Sequence, residues 1–305
     1  MKLPTLEILK NAYGKYGVAA FNVFNAEQVH GFFGGAELAE LPVIVQITPA
    51  ARNYIKPEIL EAMIGAASRI YAKANFSVHL DHGNVEHSIS AIESGFYDSI
   101  MIDASHEDFE KNILVTSGIV QRAHDKGIAV EAELGVLSGV EDDINVSGER
   151  SKYTNPDQVV EFVERTGCDS LAVAVGTSHG AYKMSGGKGI QLNILKEIQR
   201  QLPSYPIVLH GASNVPKSEV EKINKAGGEL KDDAKGVDEK ELLQAIRYGV
   251  TKINIATDMR LIWTRVHREF FNNTPELFDP VIPGKKYMEE LKEFVQHKCK
   301  SLVIV

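Results

Sequence analysis

Short apolar, β-rich runs recur along the chain at Val18–Val23, Val43–Ile47, Phe76–Leu80, Ser99–Ile102, Ile128–Leu134, Ser170–Val175, Ile207–Leu209 and Lys252–Ile255. Between them lie stretches with apolar residues at helical spacing: Glu27–Glu40, Pro57–Ala74, Val85–Ser94, Phe109–Lys126, Pro156–Thr166, Leu192–Gln201, Ser218–Ala226 and Glu239–Tyr248. Asn155-Pro156 reads as an N-cap followed by proline at the first helical position, and Gly95, Gly127 and Gly249 are placed to end helices. Strand and helix therefore alternate, with no Pro/Ser/Gly linker to divide them. Eight such units over roughly 250 residues have the size of a (β/α)8 barrel. A doubly wound sheet would usually show a glycine-rich turn after its first strand, and Phe24-Asn25-Ala26 is nothing of the kind. The expectation is an α/β fold, a (β/α)8 TIM barrel forming a single domain over 1–305, with extra C-terminal helices at Arg260–Asn272 and Lys285–Lys298.

Two segments depart from a minimal barrel. Ser138–Lys152 is polar and acidic with Gly139 and Gly148 near its ends, which suits a mobile active-site lid better than packed structure. Gly227–Asp238 is a charged excursion expected to be solvated surface.

Composition narrows the function classes. With 305 residues, 44% hydrophobic and 24% charged, the chain buries a large core without covalent staples. Its net charge of −8 is spread without a basic block, which argues against nucleic acid as the main partner. No run of some 18 apolar residues is present and the first residues lack a signal-peptide core, so no membrane partner and a cytoplasmic location are expected. Cys168 and Cys299 have no CxxC spacing and read as reduced thiols.

The chemistry gathers at the predicted strand ends. Phe76-Ser77-Val78-His79-Leu80-Asp81-His82-Gly83 closes on Asp-His-Gly, and alternation puts His79 and Asp81 on one side. The other strands end in Asn22, in Gln46 and Thr48, in Asp103, in Glu131 and Glu133, in His179, in His210, and in Asn254 to Asp258. All of these are expected at one barrel mouth, where βα loops carry active sites. Three strand-end histidines with carboxylates nearby form a ligand set for zinc or a similar divalent metal. Gly180, Gly211, Ala212 and Ser213 let backbone N–H groups approach an anion, Asn254 to Thr257 can add donors, and Lys183 can neutralise the charge.

At these residues the sequence resembles the class II, metal-dependent ketose-bisphosphate aldolases, from about Leu6 to about Val295. The specific pieces are His79-Leu80-Asp81-His82-Gly83, Met101-Ile102-Asp103-Ala104-Ser105-His106, Glu131-Ala132-Glu133-Leu134-Gly135, Gly176-Thr177-Ser178-His179-Gly180 and His210-Gly211-Ala212-Ser213. The resemblance implies a lyase in which His82, His179 and His210 hold a catalytic Zn2+, with Asp103 and Glu133 near an alternative or second divalent metal position. It makes Asp81 the acid/base at the hydroxyl of the cleaved carbon and Glu141 the acid that moves the proton on the enediolate. It assigns Gly180, Gly211, Ser213, Asn254 and Thr257 to a dihydroxyacetone-phosphate pocket, often with a monovalent cation (Na+ or K+) nearby, and Asn22 to substrate contact. Arg260 matches an arginine for the distal phosphate that often crosses a subunit interface, which implies a homodimer or homotetramer. Retro-aldol cleavage needs a base for the C4 hydroxyl proton and a sink for the remaining charge; a zinc Lewis acid is such a sink, so no Schiff-base lysine is required.

The sugar epimer stays open on sequence. Ala256 stands where fructose-type members usually carry an acidic residue, and Thr48-Pro49 also leans towards tagatose 1,6-bisphosphate, whereas Arg260 and Gly227–Asp238 lean towards fructose 1,6-bisphosphate. The usual Ser/Gly-rich tail is replaced by Cys299-Lys300-Ser301-Leu302-Val303-Ile304-Val305. A metal-dependent barrel hydrolase would also want histidine and aspartate at strand ends but no phosphate cradle, and a non-catalytic phosphosugar-binding protein could dispense with Asp81 and Glu141.

Overall fold

The computed structural model of the chain describes residues 1–141, 144–146, 152–180, 189–231 and 234–304. Eight parallel strands close into a barrel: β1 (Val18–Asn22), β2 (Val43–Ile47), β3 (Phe76–Gly83), β4 (Ser99–Ile102), β5 (Ala129–Leu134), β8 (Ser170–Val173), β10 (Ile207–Leu209) and β11 (Val250–Ile255). These are the eight expected runs, and β1 pairs with β11 to complete the ring, Val18 opposite Lys252 and Phe21 opposite Ile255. Every residue of β1, β2, β3 and β11 is buried, as expected when a parallel sheet is covered by helices outside and by its own side chains inside.

The helices around the barrel are α2 (Ala26–Ala39), α4 (Pro57–Ile70), α5 (Val85–Ser94), α6 (Phe109–His124), α7 (Val159–Thr166), α8 (Leu192–Gln201), α9 (Lys217–Lys225) and α10 (Glu239–Arg247). Asparagine or aspartate caps several of them, Asn84 accepting from His87 N and Asp108 from Lys111 N. Two short helices lie outside the expected pattern. Residues Thr5–Ala12 form α1, whose Ile8, Leu9 and Ala12 pack on Val18, Ala20 and Ile44 and so plug the N-terminal end of the barrel. Residues Pro49–Ile55 form α3, started by Thr48, whose hydroxyl accepts from Ala51 N at 3.2 Å, and by Pro49. Thr48 is thus a helix cap at the barrel mouth as well as a strand-end residue.

After β11 come α11 (Thr257–Asn273) and α12 (Val281–Ser301), as expected outside the barrel. Helix α12 lies close against α2 because Gly31 and Gly35 leave room for it: a Cβ on Gly35 would stand 2.5 Å from Lys292 O. Arg265 clamps this layer, reaching Glu219 on α9 and Glu290 on α12.

Two expectations are corrected. Ser138–Lys152 holds regular structure where none was expected: Ser138–Glu141 (β6) and Ile144–Val146 (β7) pair antiparallel with each other, and β6 also pairs in parallel with β9 (Ser178–His179). Asp142, Asp143 and 147–151 lie outside the described residues. The segment Gly227–Asp238 is not merely solvated surface. Ala234 and Val237 are buried, Val237 N donates to Ser213 O at 3.0 Å, and Gly236 lies so near that a Cβ would stand 2.0 Å from that oxygen.

Candidate active site

The C-terminal end of β3 is irregular, and the irregularity sets up the site. Its register against β4 shifts between Leu80 and Gly83, and His82 takes a φ of +50°. For a residue with a Cβ this conformation costs about 1–3 kcal/mol and persists only where surrounding contacts hold it. Asp81 and His82, which strict alternation would send to opposite faces, thereby reach one cluster: His82 meets His210, and Asp81 shares the Asn254 amide with it.

His210 follows β10 directly and His179 ends β9. Ring centroids lie 4.5 Å apart for His82 and His210, 5.1 Å for His82 and His179, and 6.0 Å for His179 and His210. One nitrogen from each lies within 4.8 Å of the others. A tetrahedral zinc with bonds of about 2.1 Å holds its ligand atoms roughly 3.4 Å apart, so small ring movements suffice. Outer hydrogen bonds choose which nitrogens face inward. His82 Nδ1 donates to Asp103 Oδ2 at 2.9 Å and His210 Nε2 to Glu131 Oε1 at 2.8 Å, which leaves His82 Nε2 and His210 Nδ1 facing each other at 2.8 Å.

The surroundings favour positive charge at this point. Burial opposes the His82 imidazolium, yet Asp81, Asp103 and Glu133 outweigh it and push its pKa up to about 10. Burial and the neighbouring His82 lower the pKa of His210. Burial and the negative charge of Asp103 push the Glu133 carboxyl well above its usual range, and its Oε2 is enclosed without a hydrogen-bond partner among the described residues. His82, Asp103 and Glu133 also bring one ligand atom each within 4.8 Å of one another. An orphaned carboxyl oxygen, converging imidazoles and a field that favours a cation fit a divalent metal. Asp103 serves at the same time as the acceptor for His82, and its Oδ1 takes Ser105 N and Oγ at 3.1 and 2.8 Å.

Beside the histidines, Asp81 is held by carboxamides. Asn22 Nδ2 donates to its Oδ2 at 2.7 Å and Asn254 Nδ2 to its Oδ1 at 3.2 Å, while Gln46 Nε2 steadies Asn22 at 3.1 Å. Across the mouth, the residues expected at the anion cradle converge. Gly211 has a φ of +61° and passes so near Ser178 that a Cβ would stand 2.4 Å from its carbonyl. Ala212 and Ser213 are buried, and Ser213 Oγ accepts from Ala256 N at 3.3 Å. Ala256 precedes α11, whose first residue is Thr257, so the positive end of a 17-residue helix faces the same region. Asp258 ties the loop down, accepting from Asn214 N at 2.9 Å and Val215 N at 2.7 Å. Arg260 lies over the Phe24 ring at 4.9 Å. Gly180, with a φ of +79°, is the last described residue before 181–188, so Lys183 lies outside the described residues. For Glu141 only the backbone, in β6, is described.

Two of the expected strand-end residues sit lower. His79 does not join Asp81 at the mouth: its Nδ1 donates to Ser99 Oγ at 2.7 Å, and burial followed by Lys252 pushes its pKa down to about 3. Glu131 lies in the same layer, paired with Lys252; burial works against its carboxylate, but Lys252 and His210 hold it well below the usual range.

The fructose-bisphosphate aldolase class-II family model matches residues 4–304. The chain belongs to that family. It is therefore a lyase, and the barrel hydrolase is set aside. A fructose-bisphosphate aldolase of Thermus caldophilus is 41% identical over 303 residues, which are 99% of this chain and 96% of that protein. One of Giardia intestinalis is 42% identical over 91% of this chain and 86% of its own length. Among solved structures, the YdjI aldolase from Escherichia coli K12 superposes with a TM-score of 0.78 at 31% identity, covering 99% of this chain and 97% of that one. The curated relatives carry the fructose name, which does not favour the tagatose alternative.

Within this aldolase, sequence reading passed over Lys252. A lysine that opens the run Lys252–Ile255 reads as the solvated start of a strand, and only the closed barrel, with β11 beginning at Val250, reveals that its side chain is fully buried. Gln46 was seen as a strand-end residue, but its place behind Asn22 depends on β1 and β2 pairing Asn22 with Gln46.

Proposed function

We propose that the chain reversibly cleaves fructose 1,6-bisphosphate to dihydroxyacetone phosphate and glyceraldehyde 3-phosphate, with zinc held by His82, His179 and His210. The main support is the juxtaposition, in one barrel mouth, of the histidine trio and Asp81 in its grip of carboxamides. When bound, the zinc supplies a Lewis acid for negative charge developing on substrate oxygens. Asp81 takes the C4 hydroxyl proton in cleavage and returns it in condensation, and Asn22 and Asn254 fix the direction of its lone pairs. Glu141 moves the proton on the three-carbon fragment; the pairing of its strand with β9 beside His179 supports this role.

Asn22 and Thr48 contact the sugar. Gly180, Gly211, Ala212, Ser213, Asn254, Ala256 and Thr257 cradle the phosphate of the ketone half with backbone and side-chain donors, helped by Lys183 and a monovalent cation. Asp103 and Glu133 with His82 form a second divalent position, and Arg260 takes the distal phosphate. No helix among the described residues is long and apolar enough to cross a membrane. A cytoplasmic, single-domain enzyme acting as a homodimer or homotetramer belongs to the same proposal.

The test is a side-by-side rate measurement on fructose and tagatose 1,6-bisphosphates with protein stripped of metal and then given zinc or cobalt. We expect faster cleavage of the fructose substrate, lost on stripping and restored by either metal. Full activity in protein shown by elemental analysis to be metal-free would overturn the proposal.

A further inference from the structure

A fully enclosed ion pair lies directly beneath the histidine trio. Lys252, in β11, is 0% exposed, and its Nζ donates to Glu131 Oε2 at 2.7 Å. Glu131 is itself 2% exposed. Taking such charges out of water costs several kcal/mol per ion, a penalty offset only by good geometry and a full set of partners. An apolar pair of similar volume would fill the barrel more cheaply, so the pair calls for an explanation other than packing.

Its hydrogen bonds form one continuous chain in which Ser99 and Glu131 accept from both sides and Lys252 donates to both. At the lower end, Thr5 Oγ1 donates to Ser99 Oγ at 2.8 Å, and Ser99 accepts from His79 Nδ1 at 2.7 Å. His79 Nε2 is then a bare acceptor and meets Lys252 Nζ at 3.3 Å. Lys252 gives a second hydrogen to Glu131 Oε2, and Glu131 Oε1 accepts from His210 Nε2 at 2.8 Å. Each group is thus assigned one protonation state by its neighbour, from helix α1 to the histidine at the mouth. The last link bears on the chemistry: with Nε2–H committed to Glu131, only Nδ1 of His210 can offer a lone pair to the site.

We propose that Lys252 is a positioning residue for the metal centre: by clamping Glu131 it fixes His210 as the Nε2–H tautomer and turns Nδ1 towards His82. The inference rests on the zinc reading above. Lys252 cannot touch substrate itself, because it is enclosed below the histidines and committed to Glu131. Without the lysine, Glu131 Oε2 is left as an unpaired buried charge 3.5 Å from His79 Nε2. The stranded charge is relieved when His79 takes up a proton at Nε2 and donates to it; the carboxylate that turns to this new donor loosens its hold on His210, whose ring is free to flip.

The experiment measures zinc affinity by competition with a chromophoric chelator for the wild type, Lys252→Met, and the double variant Lys252→Met/Glu131→Gln. Visible spectra of the cobalt-loaded forms and unfolding midpoints of the metal-free forms accompany it. Outer hydrogen-bond partners of metal-bound histidines typically account for about 10–100-fold in affinity, and Lys252→Met should weaken zinc by that factor and alter the cobalt spectrum. The double variant should recover most of the loss, since the glutamine carbonyl still accepts from His210 and no charge is stranded. Nitrogen-15 imidazole spectra of the metal-free wild type should show His210 protonated at Nε2, a measurement that decides the matter even if Lys252→Met does not fold. Wild-type zinc affinity in Lys252→Met, a double variant no tighter than the single, or an Nδ1–H His210 overturns the proposal. A wild type that binds no zinc removes the metal reading, and this inference with it.

Discussion

Asp81 and His82 are neighbours in sequence with different proposed tasks, and the difference comes from what surrounds each side chain. His82 has its outer nitrogen tied to Asp103 and its inner one aimed at His210, the environment of a metal ligand. Asp81 is ringed by amide hydrogens, which orient a carboxylate without competing for a cation. Substituting Asp81→Ala should therefore lower turnover by roughly two to four orders of magnitude, the usual contribution of a general acid–base group, while zinc content by elemental analysis stays unchanged. Loss of zinc in that variant would make Asp81 a ligand instead. The role proposed for Arg260 is separable from both. Its guanidinium rests on Phe24 at the rim, a placement suited to an anion arriving from solvent. We expect Arg260→Ala to raise KM for the bisphosphate strongly while sparing proton exchange on dihydroxyacetone phosphate, which has no distal phosphate; equal damage to both reactions would place the arginine elsewhere. Much at this scale was readable in advance, because a charged residue closing an apolar strand has few structural uses. What could not be read was depth: His79 and Asp81 share a face by alternation, yet two residues of strand separate a neutral histidine of the barrel interior from a carboxylate at the mouth.

The barrel strands were legible because each is a continuous apolar run, and their order because consecutive βα units wind in one direction. The smaller elements at the rim were not. Strand β9 has two residues and no period of its own, and β6 exists only through its pairing with β7 and with β9, Ser138 opposite Ser178 and Gly139 opposite His179. The pairing with β9 is non-local, and the polar composition of the segment pointed to a loop. Helix α3 did carry a signal, Thr48 as cap and Pro49 at the first position, but seven residues give too little periodicity to be noticed. The rim pairing has a consequence that can be measured. Gly139 has a φ of +115°, and a Cβ there would stand 2.4 Å from His179 O and 2.7 Å from His179 N. The contact is backbone and has no flexible end that could yield. In Gly139→Ala the β6 backbone must therefore withdraw from β9 or push His179 inward. Either movement disturbs a histidine of the trio, so zinc affinity and kcat should fall together, with competition titration and steady-state rates as the readouts. A variant with wild-type zinc affinity would show that β6 and His179 move independently.

At the scale of the molecule, the histidines are a device for joining distant parts of the chain. His82 and His210 are separated by 128 positions in sequence, and His179 comes from a third rim strand. An unfolded chain has no comparable site, so a metal that binds here binds the native state alone and must stabilise it by mass action. Free zinc at one hundred times its dissociation constant adds about 2.7 kcal/mol. A domain of this length shifts its midpoint by roughly 2 °C or somewhat less per kcal/mol, so a rise of a few degrees is expected. Activity alone does not separate a structural from a catalytic effect of the metal, but a panel of thermal midpoints does. The wild type should melt lower after chelation and recover with zinc. Asp81→Ala, which keeps the three histidines, should show the same shift despite its lost turnover. His82→Ala and His210→Ala should show little or none, and their metal-free midpoints supply the baseline for the altered packing. A zinc-induced shift of equal size in His82→Ala would mean that the ion binds elsewhere on the surface, and the barrel mouth would lose its claim to the metal.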